Sequence, residues 1–399
     1  MREKFCKYFD VISGYAFKST DLKLCSDVPV IKIGNISNGS DLIEDDSTQY
    51  VSKDFLKINE KYHINKDDIL ISLTGSHINQ PNSMVGRVCR SYSEKTYLLN
   101  QRAGKVIPKD DASKEYLFYL LSSKCIKEEI VNRAYGAANQ VNISPSAIGN
   151  IKWDFPTLDT QKKIGELLSF FDKLIITNNK RIKMLEQMAE KLYKEWFVRF
   201  RFPGHEKVEF VDGVPKGWEF KRLSDIADIV MGQSPSSCYY NNNMRGLPFH
   251  QGVGSYGNRY LQDDVYSTEG KRIAEANSII FSVRAPVGRL NITLNKIILG
   301  RGVAGINEKK GRNIFLYYLL NDKFAHEDLI GSGTIFSSVT KDELYKQKLL
   351  VPKDDICDKF DIISGVIEKE IRNIYKQNQN LIKQRDYLLP RLMSGKIKV

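Results

Sequence analysis

Polar side chains set in glycine-flanked loops are the chemistry this sequence offers. In its first part such loops hold Lys18 and Ser19, Thr74 beside Gly75, Gln101 and Arg102, and Asn139 and Gln140. Further along, Gln233, Tyr256 to Arg259, Arg284, Arg301 and Thr334 stand in similar settings. Arginine matches the two acceptors of guanine, and asparagine or glutamine matches the donor–acceptor pair of adenine. Small neighbours let loop backbone approach phosphates while the polar side chains reach base edges. The expected chemistry is hydrogen-bonded reading of bases, with no bond made or broken.

Motifs that make or break bonds do not stand beside these loops. There is no Gly-x-x-x-x-Gly-Lys-Ser/Thr phosphate loop and no Asn/Asp-Pro-Pro-Tyr/Phe, the strand-end motif that holds an amine for methylation. Gln251-Gly252-Val253-Gly254 lacks the third glycine and the strand-turn-helix setting of a dinucleotide loop, so it reads as a surface loop. Asp110-Asp111 and Asp354-Asp355 suit turns and helix starts. The histidines His63, His77, His205, His250 and His326 form no i, i+4 pair, and no metal site is expected. Six cysteines lie scattered without a Cys-x-x-Cys, which reads as reduced thiols.

The elements that must position the loops come in two copies. Gly14-Tyr15-Ala16-Phe17 after one apolar run is echoed by Gly232-Gln233-Ser234-Pro235 after another. Glu115-Tyr116-Leu117-Phe118-Tyr119-Leu120-Leu121 is echoed by Ile314-Phe315-Leu316-Tyr317-Tyr318-Leu319-Leu320. The period, roughly 200 residues, is that of whole domains in tandem and not of a solenoid. The 399 residues suffice for two cores, and the net charge of +12 favours a polyanionic partner. No run of about 18 apolar residues is present. Met1-Arg2-Glu3-Lys4 leads into no signal core, which points to the cytoplasm.

The predicted fold class is α+β. Residues 1–157 and 201–351 read as mixed, mostly β domains, the latter including a linker; 158–200 and 352–399 read as long helical regions. Val28 to Ile33, Ile69 to Leu73 and Gly104 to Ile107 have strand character, and Lys114 to Val131 has helical spacing. Ile164, Phe171, Asn178, Leu185 and Leu192 step by seven, as do Phe360, Ile367, Ile374, Leu381 and Leu388. The first helical region would run roughly 57 Å, and Pro390 and Gly395 are expected to end the second. Asn178 stands at the middle of the first seam and Asn378 beside the seam of the second; a polar residue at a core position costs stability and fixes register. The expected arrangement is an antiparallel coiled coil with a globular domain at either end, related by a pseudo-two-fold axis.

Several segments resemble the specificity (S) subunit of type I restriction–modification systems. They are Gln161-Lys162-Lys163-Ile164, Leu192-Tyr193-Lys194-Glu195-Trp196-Phe197-Val198-Arg199-Phe200, Pro215-Lys216-Gly217-Trp218 and the terminal Leu388-Leu389-Pro390-Arg391-Leu392-Met393-Ser394-Gly395-Lys396-Ile397. The second helix departs at its start, where Ile356-Cys357-Asp358-Lys359-Phe360 lacks the glutamine. The resemblance implies two target recognition domains, each reading half of a split sequence in double-stranded DNA, and no catalysis by the chain itself. It implies that the helices dock two modification (M) subunits, which carry S-adenosylmethionine and methylate adenine. It further implies that restriction (R) subunits join with ATP and Mg, and that the helices set the gap between half-sites. Two other readings stay open: a self-contained methylase with its reader, and a non-catalytic DNA-associated scaffold without sequence readout.

Overall fold

Short apolar runs bounded by Gly, Asn and Pro pair as antiparallel strands, and the heptad-patterned stretches form single long helices. The computed structural model describes residues 2–37, 39, 41–77, 85–137, 140–329 and 338–399. It divides into two compact units, 1–178 with 377–399 and 179–376, so each unit holds one globular domain and a segment of both long helices.

In the first unit, Phe9–Ser13, Ala103–Pro108, Ile69–Ser72 and Val88–Arg90 form an antiparallel sheet in that order. A second sheet orders Gln49–Val51, Val28–Ile31, Tyr97–Leu99 and His63–Ile64, with Val28–Ile31 parallel to Tyr97–Leu99. The second unit repeats the first sheet with Ala227–Met231, Val303–Glu308, Ile279–Ser282 and Leu290–Ile292. It also repeats the parallel pair, as Leu247–His250 beside Ile297–Leu299.

The helical stretch expected over Lys114 to Val131 is two helices, Lys114–Ser122 and Lys124–Arg133. Ser123 breaks it, being extended at φ −67° and ψ 145°, with its hydroxyl donating to Leu120 O at 2.6 Å. Such a side-chain bond competes with helix continuation. The break lets all of Tyr116 to Leu121 be buried, while Ile126 and Ile130 still reach the same core.

The long helices span Leu158–Tyr193 and Asp354–Met393. A π-turn, Lys194–Val198, extends the first and buries both Trp196 and Phe197; Phe200 at φ 57° then leaves the helix. The second does not end at Pro390, contrary to the expectation. A proline near a helix end removes one hydrogen bond, and here the extra turn carries Leu392 and Met393 into the first unit's core. Gly395, at φ 70°, follows it.

Within each unit the two helix segments lie side by side in opposite chain directions. In the first unit Asn178 Nδ2 donates to Asn378 Oδ1 (2.9 Å) and Gln377 Oε1 (3.1 Å), and Asp172 meets Arg385 at 2.6 Å. In the second, Arg181 meets Glu370 at 3.4 Å, while Tyr193 and Trp196 pack on Phe360. Ile164, Asn178, Phe360 and Ile374 are buried; Phe171, Leu185, Leu192, Ile367, Leu381 and Leu388 are half-buried.

Phe360 is fully buried among the rings of Tyr193, Trp196, Phe197, Phe315 and Tyr318. Phe360→Ala is expected to cost about 3–5 kcal/mol through lost burial and a residual cavity, read as a lowered denaturation midpoint.

The start of each long helix is stapled to its domain by different chemistry. Buried Gln161 accepts from Ser113 N at 3.0 Å and donates to Pro156 O at 3.0 Å. In the second unit Arg312 donates to Asp354 (2.7 Å) and Glu308 (2.7 Å), and the buried position equivalent to Gln161 is Cys357. The missing glutamine is thus replaced by an ion-pair staple.

Candidate nucleic-acid interface

In each unit, loops from three strand ends converge on the turn that precedes the central strand of the first sheet. Around Asn100–Arg102, Asn100 N bonds Ile31 O (3.0 Å), Tyr15 N bonds Leu99 O (2.8 Å) and Leu73 N bonds Arg102 O (3.0 Å). Around Gly300–Gly302, Gly300 N bonds His250 O (2.8 Å), Gln233 N bonds Leu299 O (2.9 Å) and Val283 N bonds Gly302 O (3.0 Å). Gly14 N to Ala103 O and Gly232 N to Val303 O, both 3.0 Å, complete the match. The two glycines are required by close approach: a Cβ on Gly14 would collide with the carbonyl oxygens of Leu99 and Asn100, and one on Gly232 with that of Gly300.

This framework brings several predicted residues together. Ser19, Gln101 and Arg102 line one cleft of about 300 Å³ with Phe17, Lys32 and Asn100. Lys18, Ser19, Gln101 and Arg102 are exposed. In the second unit, exposed Gln233 and Arg301 flank one contact, in which Arg301 N donates to Ser234 Oγ at 3.1 Å. Arg284 is exposed on the adjoining loop. Gln140 is exposed on the ribbon of Tyr135–Ala137 and Gln140–Asn142, which pairs with Thr74–Gly75. Asn139 and Thr334 lie outside the described residues.

Three expected readers are structural. Arg259 is buried: its Nε donates to Glu368 at 3.0 Å, Nη1 lies 3.5 Å from Glu186, and its guanidinium stands 4.7 Å from the Tyr317 ring centre. Burial opposes the charge, but Tyr317 and Glu368 raise the guanidinium pKa and hold it protonated. Tyr256 is half-buried and donates to Ile280 O at 3.2 Å. Thr74 is buried, with its hydroxyl committed to Asn142 Oδ1 at 2.7 Å. Each has its polar atoms occupied inside the protein, so none is offered to bases.

Two contributors escaped the sequence reading. Lys32 follows a buried strand and enters the cleft beside Arg102; partial burial lowers its pKa. A lysine closing an apolar run gives no signal by itself. His250, fully buried, bridges Ser255 Oγ (2.8 Å) and Asp263 Oδ1 (3.0 Å). Ser255 Oγ also donates to Gly252 O at 3.2 Å, so the trio ties the Gln251–Ser255 loop down next to Gly300–Gly302. Burial pushes the Asp263 carboxyl up, but bonds from His250 and Asn295 outweigh it and hold it below its usual value. Among the described residues no His/Cys/Asp/Glu cluster suits a metal ion.

What can this arrangement do? Exposed arginine, glutamine and lysine on loops anchored by a rigid strand framework can contact phosphates and base edges. Four of the framework bonds recur in both units, while the side chains they present differ.

Comparison with known proteins gives these features a family. The family model described as "Type I restriction modification DNA specificity domain" matches residues 6–187 and 215–384. The putative type I restriction enzyme MjaX specificity subunit of Methanocaldococcus jannaschii is 32% identical over 351 residues, covering 85% of this chain and 80% of that protein. The HindI specificity subunit of Haemophilus influenzae is 25% identical over 381 residues, covering 76% and 81%. The crystal structure of the type I S subunit from M. genitalium shares the fold, with a TM-score of 0.58 at 16% identity over 98% of this chain and 95% of that one. The two matched segments together span most of the sequence, and the chain belongs to the type I restriction–modification DNA specificity family.

Proposed function

We propose that the chain is the sequence-reading subunit of a type I restriction–modification complex. Each unit reads one half of a split DNA target through its converged loops, and the chain itself catalyses nothing. The observation that carries this reading is the duplicated backbone framework holding two unlike sets of exposed side chains: Ser19, Gln101 and Arg102 in one unit, Gln233, Arg284 and Arg301 in the other. One scaffold with two different faces is what a two-part, asymmetric address requires.

Two modification subunits would dock on the helices. In support, both helices expose apolar residues at equivalent turns, Leu167 and Phe170 on the first and Ile363 and Val366 on the second. S-adenosylmethionine would belong to those subunits, and ATP and Mg to restriction subunits that join them. The expected place of work is the cytoplasm, where DNA is accessible; no described helix is long and apolar enough to cross a membrane.

Exchanging residues 218–351 for the corresponding segment of another family member tests the reading. With the modification partner present, selection from random DNA is expected to return a target altered in one half-site and unchanged in the other. Alteration of both halves, or recovery of no split motif, would overturn it and leave a scaffold without readout.

A further inference from the structure

The framework holds the reading loops within each domain; the Gln161 and Arg312 staples hold each domain at a helix start, and a second junction lies farther along the helices. In both units a buried carboxylate on a long helix occupies that junction, and the two sit at equivalent positions of the repeat. In the first unit Asp172, on the first long helix, accepts from Tyr119 Oη of the globular domain at 2.6 Å and from Arg385 Nη1 of the second long helix at 2.6 Å. In the second unit Glu368, on the second long helix, accepts from Tyr260 Oη at 2.7 Å and from Arg259 Nε at 3.0 Å, both from the globular domain. Arg259 also reaches Glu186 of the first long helix at 3.5 Å. Each junction therefore joins three elements: one domain and both helices.

Hydrophobic packing alone tolerates small rotations, because it is non-directional. A charged acceptor with fixed donors, at a junction that joins three elements, does not, since hydrogen bonds weaken steeply with angle. Asp172 and Glu368 are less than a tenth exposed, so water offers no alternative partner. Burial and the neighbouring carboxylates raise the Tyr119 and Tyr260 hydroxyl pKa values, which keeps both as donors.

We propose that Asp172 and Glu368 are positioning residues that fix the angle of each recognition domain on its helix pair and thereby hold the target to one gap length. This inference rests on the split-target reading above. A reader whose angle is fixed meets bases in only one phase of the duplex, since each added base pair rotates the groove by roughly a tenth of a turn. Loosening the angle lets a neighbouring gap length be read while the side chains that read bases stay the same.

The test uses the full chain assembled with its modification partner. Asp172→Asn, Tyr119→Phe, Glu368→Gln and Tyr260→Phe are compared with Ile71→Val and Ile280→Val, which weaken strands inside the domains. Methylation is measured on DNA carrying the intact half-sites at the preferred gap and at gaps one base pair shorter and longer. The junction variants are expected to raise methylation of the neighbouring gaps, relative to the preferred one, by about fivefold or more. Base preference within each half-site should stay unchanged, and the strand variants should leave the gap profile as it was. The tyrosine variants keep the ion pairs, so they give a reading even where the carboxylate variants unfold. An unchanged gap profile in assembled tyrosine variants would overturn the inference while leaving the split-target reading intact. A wild-type complex with no preferred gap would overturn both.

Discussion

Arg259→Ala is expected to destabilise the second unit by about 3–5 kcal/mol, whereas Arg301→Ala should stay within about 0.5 kcal/mol of wild type. Both arginines sit in loops of one domain, and sequence makes them equal candidates for base contact. The structure separates them. Among the described residues, removing Arg259 leaves Glu368 buried with Tyr260 as its remaining side-chain partner, an uncompensated charge in a low-dielectric site. It also removes the guanidinium stacked on Tyr317. Arg301 is exposed, and its bond among the described residues runs from the backbone N to Ser234 Oγ. Denaturation monitored by tryptophan fluorescence distinguishes the two: Trp196 and Trp218 both lie in the second unit's core. Equal midpoints for the two variants would contradict the assignment of Arg259 as a structural residue.

The second large effect is on recognition. Arg102→Ala and Arg301→Ala should each weaken discrimination at a position in one half-site by about 1–3 kcal/mol, the range of a good bidentate base contact. The losses should fall in different halves of the target, because each arginine lies on the turn at the centre of its own unit's converged loops. Lys32→Ala should behave differently. A lysine that meets phosphate carries no sequence information, so binding should fall uniformly and the salt dependence flatten by about one counterion. Competition binding of the assembled complex to single-base variants of its target, at two salt concentrations, reads both results.

Much of this architecture was legible from residue spacing, and the failures have physical causes. The seam positions stand out because a helix that buries one stripe must repeat its apolar residues near every 3.5 positions. Gly14 and Gly232 mark real constraints, since carbonyl groups fill the space a side chain would need. The second helix runs past Pro390 because Leu392 and Met393 gain burial in a core built 200 and more residues earlier, which no local rule contains. The same limit explains Arg259. Its partner Glu368 lies 109 residues away, and a loop arginine looks alike whether it faces DNA or a buried carboxylate. Thr74 and Tyr256 failed for a related reason: their partners, Asn142 Oδ1 and Ile280 O, come from other strands. The loops that did converge were legible as a set because they recur in both copies, although Lys32 was invisible until its strand end met the Arg102 turn.

The central claim is that one chain dictates a two-part DNA address. It is tested most directly by mapping methylated adenines across the genome of the host with the gene intact and with it deleted. The account predicts that deletion removes methylation at one split motif with a fixed gap, and that restoring the gene with Arg102→Ala returns the motif with one half-site relaxed. An unchanged set of methylated motifs after deletion, or loss of a single uninterrupted motif, would contradict it.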